Sequence, residues 1–126
     1  MPQLQNRSLL AALVLVGLAL VVPLSAHHGW GTYSDQEFEV TGQVEKALSL
    51  VGPHATMQIR AEKVLWDLTL APPNRTTQAG LKEGTIPVGA TVTAHGHRSK
   101  DQARFEVKTE RLTWNGRTFN VYPDRD

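Results

Sequence analysis

Glu37-Phe38-Glu39-Val40-Thr41-Gly42-Gln43-Val44-Glu45 alternates without a break. Phe38, Val40, Gly42 and Val44 fall on one side, and Glu37, Glu39, Thr41, Gln43 and Glu45 on the other. A period of two is that of a strand with one buried face. Gly42 in its middle predicts a tight bend or a close backbone approach, as at the corner of a barrel.

The stretches that follow repeat the pattern. Leu48 to Pro53 is expected as a connection, with Pro53 holding Gly52 extended. A second strand turns Ala55, Met57, Ile59 and Ala61 inward, with His54, Thr56, Gln58 and Arg60 outward. After a Glu62-Lys63 turn, a third strand does the same with Val64, Trp66, Leu68 and Leu70. Ala71-Pro72-Pro73 ends it, since proline cannot donate to a sheet ladder. Asn74 is the expected N-cap of a short helix from Arg75 to Leu81. The fourth strand, Thr91 to His97, places Val92 and Ala94 inward and Thr93, His95 and His97 outward.

In the fifth strand Ala103, Phe105 and Val107 take the inward parity, but Leu112 and Trp114 have the opposite one. One extra residue between Thr109 and Arg111 restores the face, which predicts a β-bulge there. Asn115-Gly116 is a strong hairpin signal and leads into a last strand, Arg117 to Tyr122. Short strands with one helix between the third and fourth predict an all-β fold, an OB-like barrel of five to six antiparallel strands. A generic β-sandwich is the alternative; the single helix and Gly42 favour the barrel.

Upstream of this domain, taken as residues 37–126, lie an arm over residues 27–36 and a leader over residues 1–26. Leu9 to Val22 is an apolar or small run of 14 residues behind Arg7. Pro23 breaks it, and Leu24-Ser25-Ala26 resembles a small-residue cleavage site. These features are those of a secretory signal peptide. The run is short for a membrane span of about 20 residues, so export to the periplasm or the exterior is expected, with no stable membrane insertion after processing.

Processing removes Arg7 from the 13 Lys and Arg, leaving them equal in number to the 12 Asp and Glu. A neutral domain with interspersed signs has no basic groove for nucleic acid. There is no Cys, which excludes a disulfide and a lipid anchor on cysteine. Any metal site must use nitrogen or oxygen ligands, or the Met57 thioether.

A resemblance to a family of small exported bacterial proteins of uncharacterised function covers nearly all the mature chain. It is carried by Ala26-His27-His28, Pro53-His54, Pro72-Pro73-Asn74, Ala79-Gly80-Leu81 with Lys82-Glu83-Gly84, and Thr91 through His97. Members usually have Trp, then Ser or Thr, then Asn-Pro-His where this chain has Leu50-Val51-Gly52-Pro53-His54. The Pro-His is kept and the Trp and Asn are not, so a pocket shaped by those two is altered here. The resemblance implies an OB-like fold and a periplasmic location, and implies no activity.

Cleavage after Ala26 would free the α-amine of His27, with His28 next to it. The amine and the ring Nδ1 of an N-terminal histidine can chelate one metal ion, and tetragonal nitrogen sets favour Cu(II). The amine, with an ordinary pKa of about 8, deprotonates when a metal competes. His54, at the head of the second strand, is the first choice for a third nitrogen, and His28 the second. The plainer reading is that processing leaves a histidine there by chance and that His54 caps a loop. His95 and His97 share a face about 7 Å apart and could hold a metal jointly; the plainer reading is a solvated strand end.

Trp66 is expected in the core, whereas Trp30 and Tyr33 are expected to pin the arm to the barrel. Asp35, Glu37, Glu39 and Glu45 form an acidic outward face of the usual solvated kind. There is no Gly-x-Ser-x-Gly and no nucleophilic Cys, so a carrier is expected rather than an enzyme. The expected cofactor is a copper ion held by His27 and His54, with His28, His95 and His97 as further candidates. The alternative is a non-metal OB-fold module that binds a small ligand or another cell-envelope protein.

Overall fold

The computed structural model describes residues 29–125; the expected leader, residues 1–26, lies outside them. The elements run β1 (Tyr33–Ser49), β2 (Thr56–Ala61), β3 (Val64–Thr69), α1 (Pro73–Gln78), β4 (Thr91–Ser99), β5 (Glu106–Trp114) and β6 (Arg117–Asn120), with a final 3₁₀ turn at Pro123–Arg125. The sheet order is β3-β2-β1-β4-β5-β6, with β3 also bonded to β5. Five strands therefore form a closed ring, with β6 as a flap on β5. This is the expected all-β, barrel-like architecture. Its closing seam is parallel, over Asp67 to Thr69 against Glu106 to Lys108, whereas the other five pairings are antiparallel. Four antiparallel steps lead from β3 through β2, β1 and β4 to β5, so β3 and β5 run in the same direction where they meet.

β1 belongs to two pairings. Its first part lies along β4, and from Gln43 it lies along β2. Gly42 stands where the strand changes partner, and a Cβ there would sit 2.6 Å from the Arg60 carbonyl oxygen. The close approach predicted for Gly42 is thus present. The inward faces meet as their alternation requires: Val44, Met57, Ile59, Leu68, Val92, Val107 and Leu112 are all buried. Each such side chain stabilises the fold by about 1.5–3 kcal/mol. Trp66 is in this core.

The bulge expected between Thr109 and Arg111 is present. On β4, His95 pairs with Arg111 and Gly96 with Thr109, leaving Glu110 as the extra residue. The backbones close tightly beside it, for a Cβ on Gly96 would lie 1.9 Å from the Lys108 carbonyl oxygen. The Asn115-Gly116 hairpin also forms, both residues having positive φ.

Several boundaries differ from the expected ones. β1 begins at Tyr33 rather than Glu37, because Tyr33 already pairs with Ser99, across an irregular step. Asn74 does not cap α1. The helix starts at Pro73 with Pro72 in the cap position and no side-chain cap bond; proline at the first helical position needs no N–H partner. It ends at Gln78 rather than Leu81, and Leu81 is buried beyond it. Ala103 and Phe105 are exposed, since β5 starts only at Glu106. The Phe105 ring instead lies edge-on to Trp66 at 5.4 Å, with the Arg98 guanidinium 5.3 Å above it. β6 ends at Asn120, two residues before Tyr122. No helix among the described residues is long and apolar enough to cross a membrane.

The crowding at Gly96 gives a direct test. Gly96→Ala should lower the unfolding free energy by about 3 kcal/mol in urea denaturation, and Gly42→Ala, with its wider clearance, by less. An unchanged denaturation midpoint for Gly96→Ala would contradict the tight approach of β4 and β5.

Candidate functional site

The outer face of the barrel beside the bulge is not solvated. His97 is 8% exposed, Lys108 3% and Glu110 1%. His97 therefore corrects the expectation of a solvated strand end: Trp30 and the start of β1 cover it. Its Nδ1 faces two acceptors, the carbonyl oxygens of Ser34 at 2.8 Å and Gln36 at 3.1 Å. Carbonyls only accept, so Nδ1 carries a proton. Its Nε2 lies 2.8 Å from Glu110 Oε1, with one proton shared between them. Both ring nitrogens are occupied, which removes His97 from the candidate metal ligands.

Glu110 Oε1 also accepts from Arg125 Nε at 3.3 Å, while Oε2 is buried without a hydrogen-bond partner. A buried carboxylate is tolerable only when paired, and here the bulge turns it toward the His97 ring and the Arg125 guanidinium.

Trp30 roofs this layer. Its ring meets His97 edge-on at 5.8 Å and Tyr122 at 5.1 Å. The Arg125 guanidinium stacks 3.7 Å from its centroid, and the Lys108 ammonium lies 5.3 Å away. Backbone bonds fasten the same segment: the Lys100 N–H donates to Thr32 O, and the Lys100 ammonium to Gly31 O. The Tyr33 hydroxyl donates to Glu106 Oε1 at 2.6 Å; burial and that carboxylate push its pKa upward. Trp30 and Tyr33 thus pin the arm as expected.

Beside Trp30 opens a cleft of about 480 Å³ lined by Gly29, Trp30, His54, Pro72, Arg75, Lys108 and Tyr122. His54 reaches it from the head of β2, Arg75 from α1, Lys108 from β5 and Tyr122 from beyond β6. The cleft is cationic and aromatic, with no carboxylate in its lining. Burial, and then the Lys108 charge, push the His54 pKa below its ordinary value. Burial likewise lowers that of Lys108, assisted by Arg125 and opposed by Glu106. Burial raises the Tyr122 hydroxyl, against the pull of Arg75 and Arg125.

His54 is thus in the cleft, while His27 and His28 lie outside the described residues. His95 is elsewhere, half-buried on the β1–β4 face, with Nε2 3.6 Å from Glu37 and Nδ1 3.5 Å from Glu39. Its two nitrogens point to different carboxylates, so the three groups do not converge on one point. Among the described residues, no three His, Asp or Glu side chains are grouped to hold a metal. Sequence reasoning did not single out Arg75, Lys108, Glu110, Tyr122 or Arg125. The outward parity of Lys108 was readable, but what covers that face was not.

Two measurements test this geometry. Glu110→Ala leaves His97 and Arg125 without their acceptor, and should cost about 3 kcal/mol of folding stability in chemical denaturation; a loss well under 1 kcal/mol would mean the layer is solvated. An NMR titration should place His54 below 6.5, and Lys108→Met should move it only part of the way back, because burial remains. The sign follows from linkage: the unfolded chain takes the proton first, so the stability contributed by neutral His54 is present above 6.5 and is lost as pH falls toward the folded value. A midpoint at or above 6.5 would contradict the burial of His54 beside the Lys108 charge.

Solved structures that resemble this chain include two of TiaS. Apo TiaS, a tRNAIle2 agmatidine synthetase, aligns at 15% identity and a TM-score of 0.49, covering 63% of this chain and 18% of that one. The ZRD-deleted mutant of TiaS in complex with agmatine aligns at 13% and 0.51, covering 68% of this chain and 26% of that one. The chain thus spans a minor part of those proteins, and at this identity the likeness concerns the fold alone. No curated protein matches. A family model described as a family of unknown function (DUF6152) matches residues 15–108, which take in the bulk of the barrel, His54 and Lys108, and this chain belongs to that family.

Proposed function

We propose that the protein is an exported carrier, of the periplasm or the cell exterior, that holds a copper ion through the amine and ring of a processed N-terminal His27 together with His54. The observation that carries the reading is that Gly29 and His54 line one cleft. Two residues of extended chain reach about 7 Å, so a chain beginning at His27 has its amine within that distance of Gly29. Metal ligation requires a neutral imidazole, and the cleft favours the neutral form of His54. Trp30, next to Gly29, is pinned to the barrel beside the same cleft. His28 stands as a further nitrogen donor, and His95 and His97 take no part.

Isothermal titration with Cu(II) of protein beginning at His27 should reveal one site. A version with one additional residue before His27 should bind about tenfold more weakly or worse, a change of 1.4 kcal/mol or more. His54→Ala should weaken binding to a similar degree while the melting temperature is kept. Equal affinity with and without the extra residue would remove the amine from the site and overturn the reading.

A further inference from the structure

We propose that the cleft between Arg75, Lys108 and His54 is a binding site for a small oxyanion, a carboxylate or a phosphate, whether or not a metal is present. Three basic side chains, from the loop before β2, from α1 and from β5, line one opening of about 480 Å³, and no carboxylate lines it with them. That volume lies in the range of small-molecule sites.

Lys108 is the informative residue. It is 3% exposed, yet its ammonium lines the cleft, 5.3 Å from the Trp30 centroid and 5.7 Å from that of Tyr122. The segment before β1 passes directly over it, for a Cβ on Gly29 would lie 3.5 Å from Nζ. Arg75 approaches the same Tyr122 ring, its Cζ 5.5 Å from the centroid. Two cations on one tyrosine ring repel each other, and aromatic faces compensate a buried charge only in part.

Most other charged groups around the cleft have partners of their own; Glu106 also offsets part of the Lys108 charge, and Asp124 lines a separate hollow with Arg75. Arg125 is held by the face of Trp30 and by Glu110, and Glu110 by His97 and Arg125. Glu106 accepts from the Tyr33 and Thr69 hydroxyls. Arg75 and Lys108 line the opening itself, with no carboxylate beside them in its lining. An anion there would relieve their repulsion and form charge-assisted hydrogen bonds, which are about twice as strong as neutral ones. Arg75 supplies a planar fork suited to carboxylate or phosphate, and Lys108 a point charge.

The test uses metal-free full-length mature protein, so that a failure of copper binding leaves it unaffected. Inorganic phosphate and succinate are titrated separately at constant ionic strength, with sodium chloride as control, and the His54 ring resonance is followed by NMR. Saturable shifts with either anion, absent with chloride, are expected, and which anion acts separates phosphate from carboxylate recognition. Arg75→Gln, an exposed change, should weaken binding about tenfold or more, and Lys108→Met should do the same from the buried side. The proposal is overturned if neither anion gives a saturable shift, if chloride gives the same shift, or if both variants bind like the parent protein.

Discussion

The close approach of β4 and β5 at Gly96 is the constraint on which the rest of the molecule depends. With no side chain on Gly96, the Lys108 carbonyl comes to within 1.9 Å of where a Cβ would be, and Glu110 is left over as a bulge. A bulge re-aims the side chains around it. Here it allows Val107 and Leu112 both to face the core, although they lie five apart in sequence and would otherwise fall on opposite faces. It also leaves Lys108 and Glu110 on the outside, beside His97, where a second and polar layer is built.

That layer is costly to desolvate and is held together by matched charges. Glu110 serves His97 and Arg125; Arg125 in turn lies on Trp30, and Trp30 covers His97 and Lys108. Each contact thus depends on the next, in a network whose members are worth more together than singly. Its functional consequence is positional. The chain preceding β1 is fixed against the barrel at Trp30, beside the cleft that His54 lines.

The cleft that results has two chemical characters. His54 supplies a neutral nitrogen, and Arg75 and Lys108 supply positive charge. A nitrogen-ligated dication beside two cations is electrostatically disfavoured unless an anion accompanies it, because opposite charges at short range offset the repulsion in a site of low dielectric. The proposed metal and the proposed anion are therefore compatible occupants of one opening: the anion needs no metal, and its presence would favour the metal.

Much of the fold was legible in residues taken two at a time. Alternation fixed which faces of β1 to β4 are buried, Gly42 marked the corner, Asn115-Gly116 the hairpin, and the change of parity between Val107 and Leu112 placed the bulge. These are local consequences of a strand's period, so neighbouring residues suffice to read them. Asn74 and Phe105 misled because proline could start the helix without a cap and because β5 begins only where it meets β3. The sequence could rank the five histidines only by their place along the chain, and tertiary structure showed the surroundings of those it describes: His97 is locked between two carbonyls and a carboxylate, His95 lies among acids on the open face, and His54 enters a basic cleft. That separation depends on which distant segments cover each ring, and contacts between residues 30, 97, 110 and 125 leave no periodic trace in the chain.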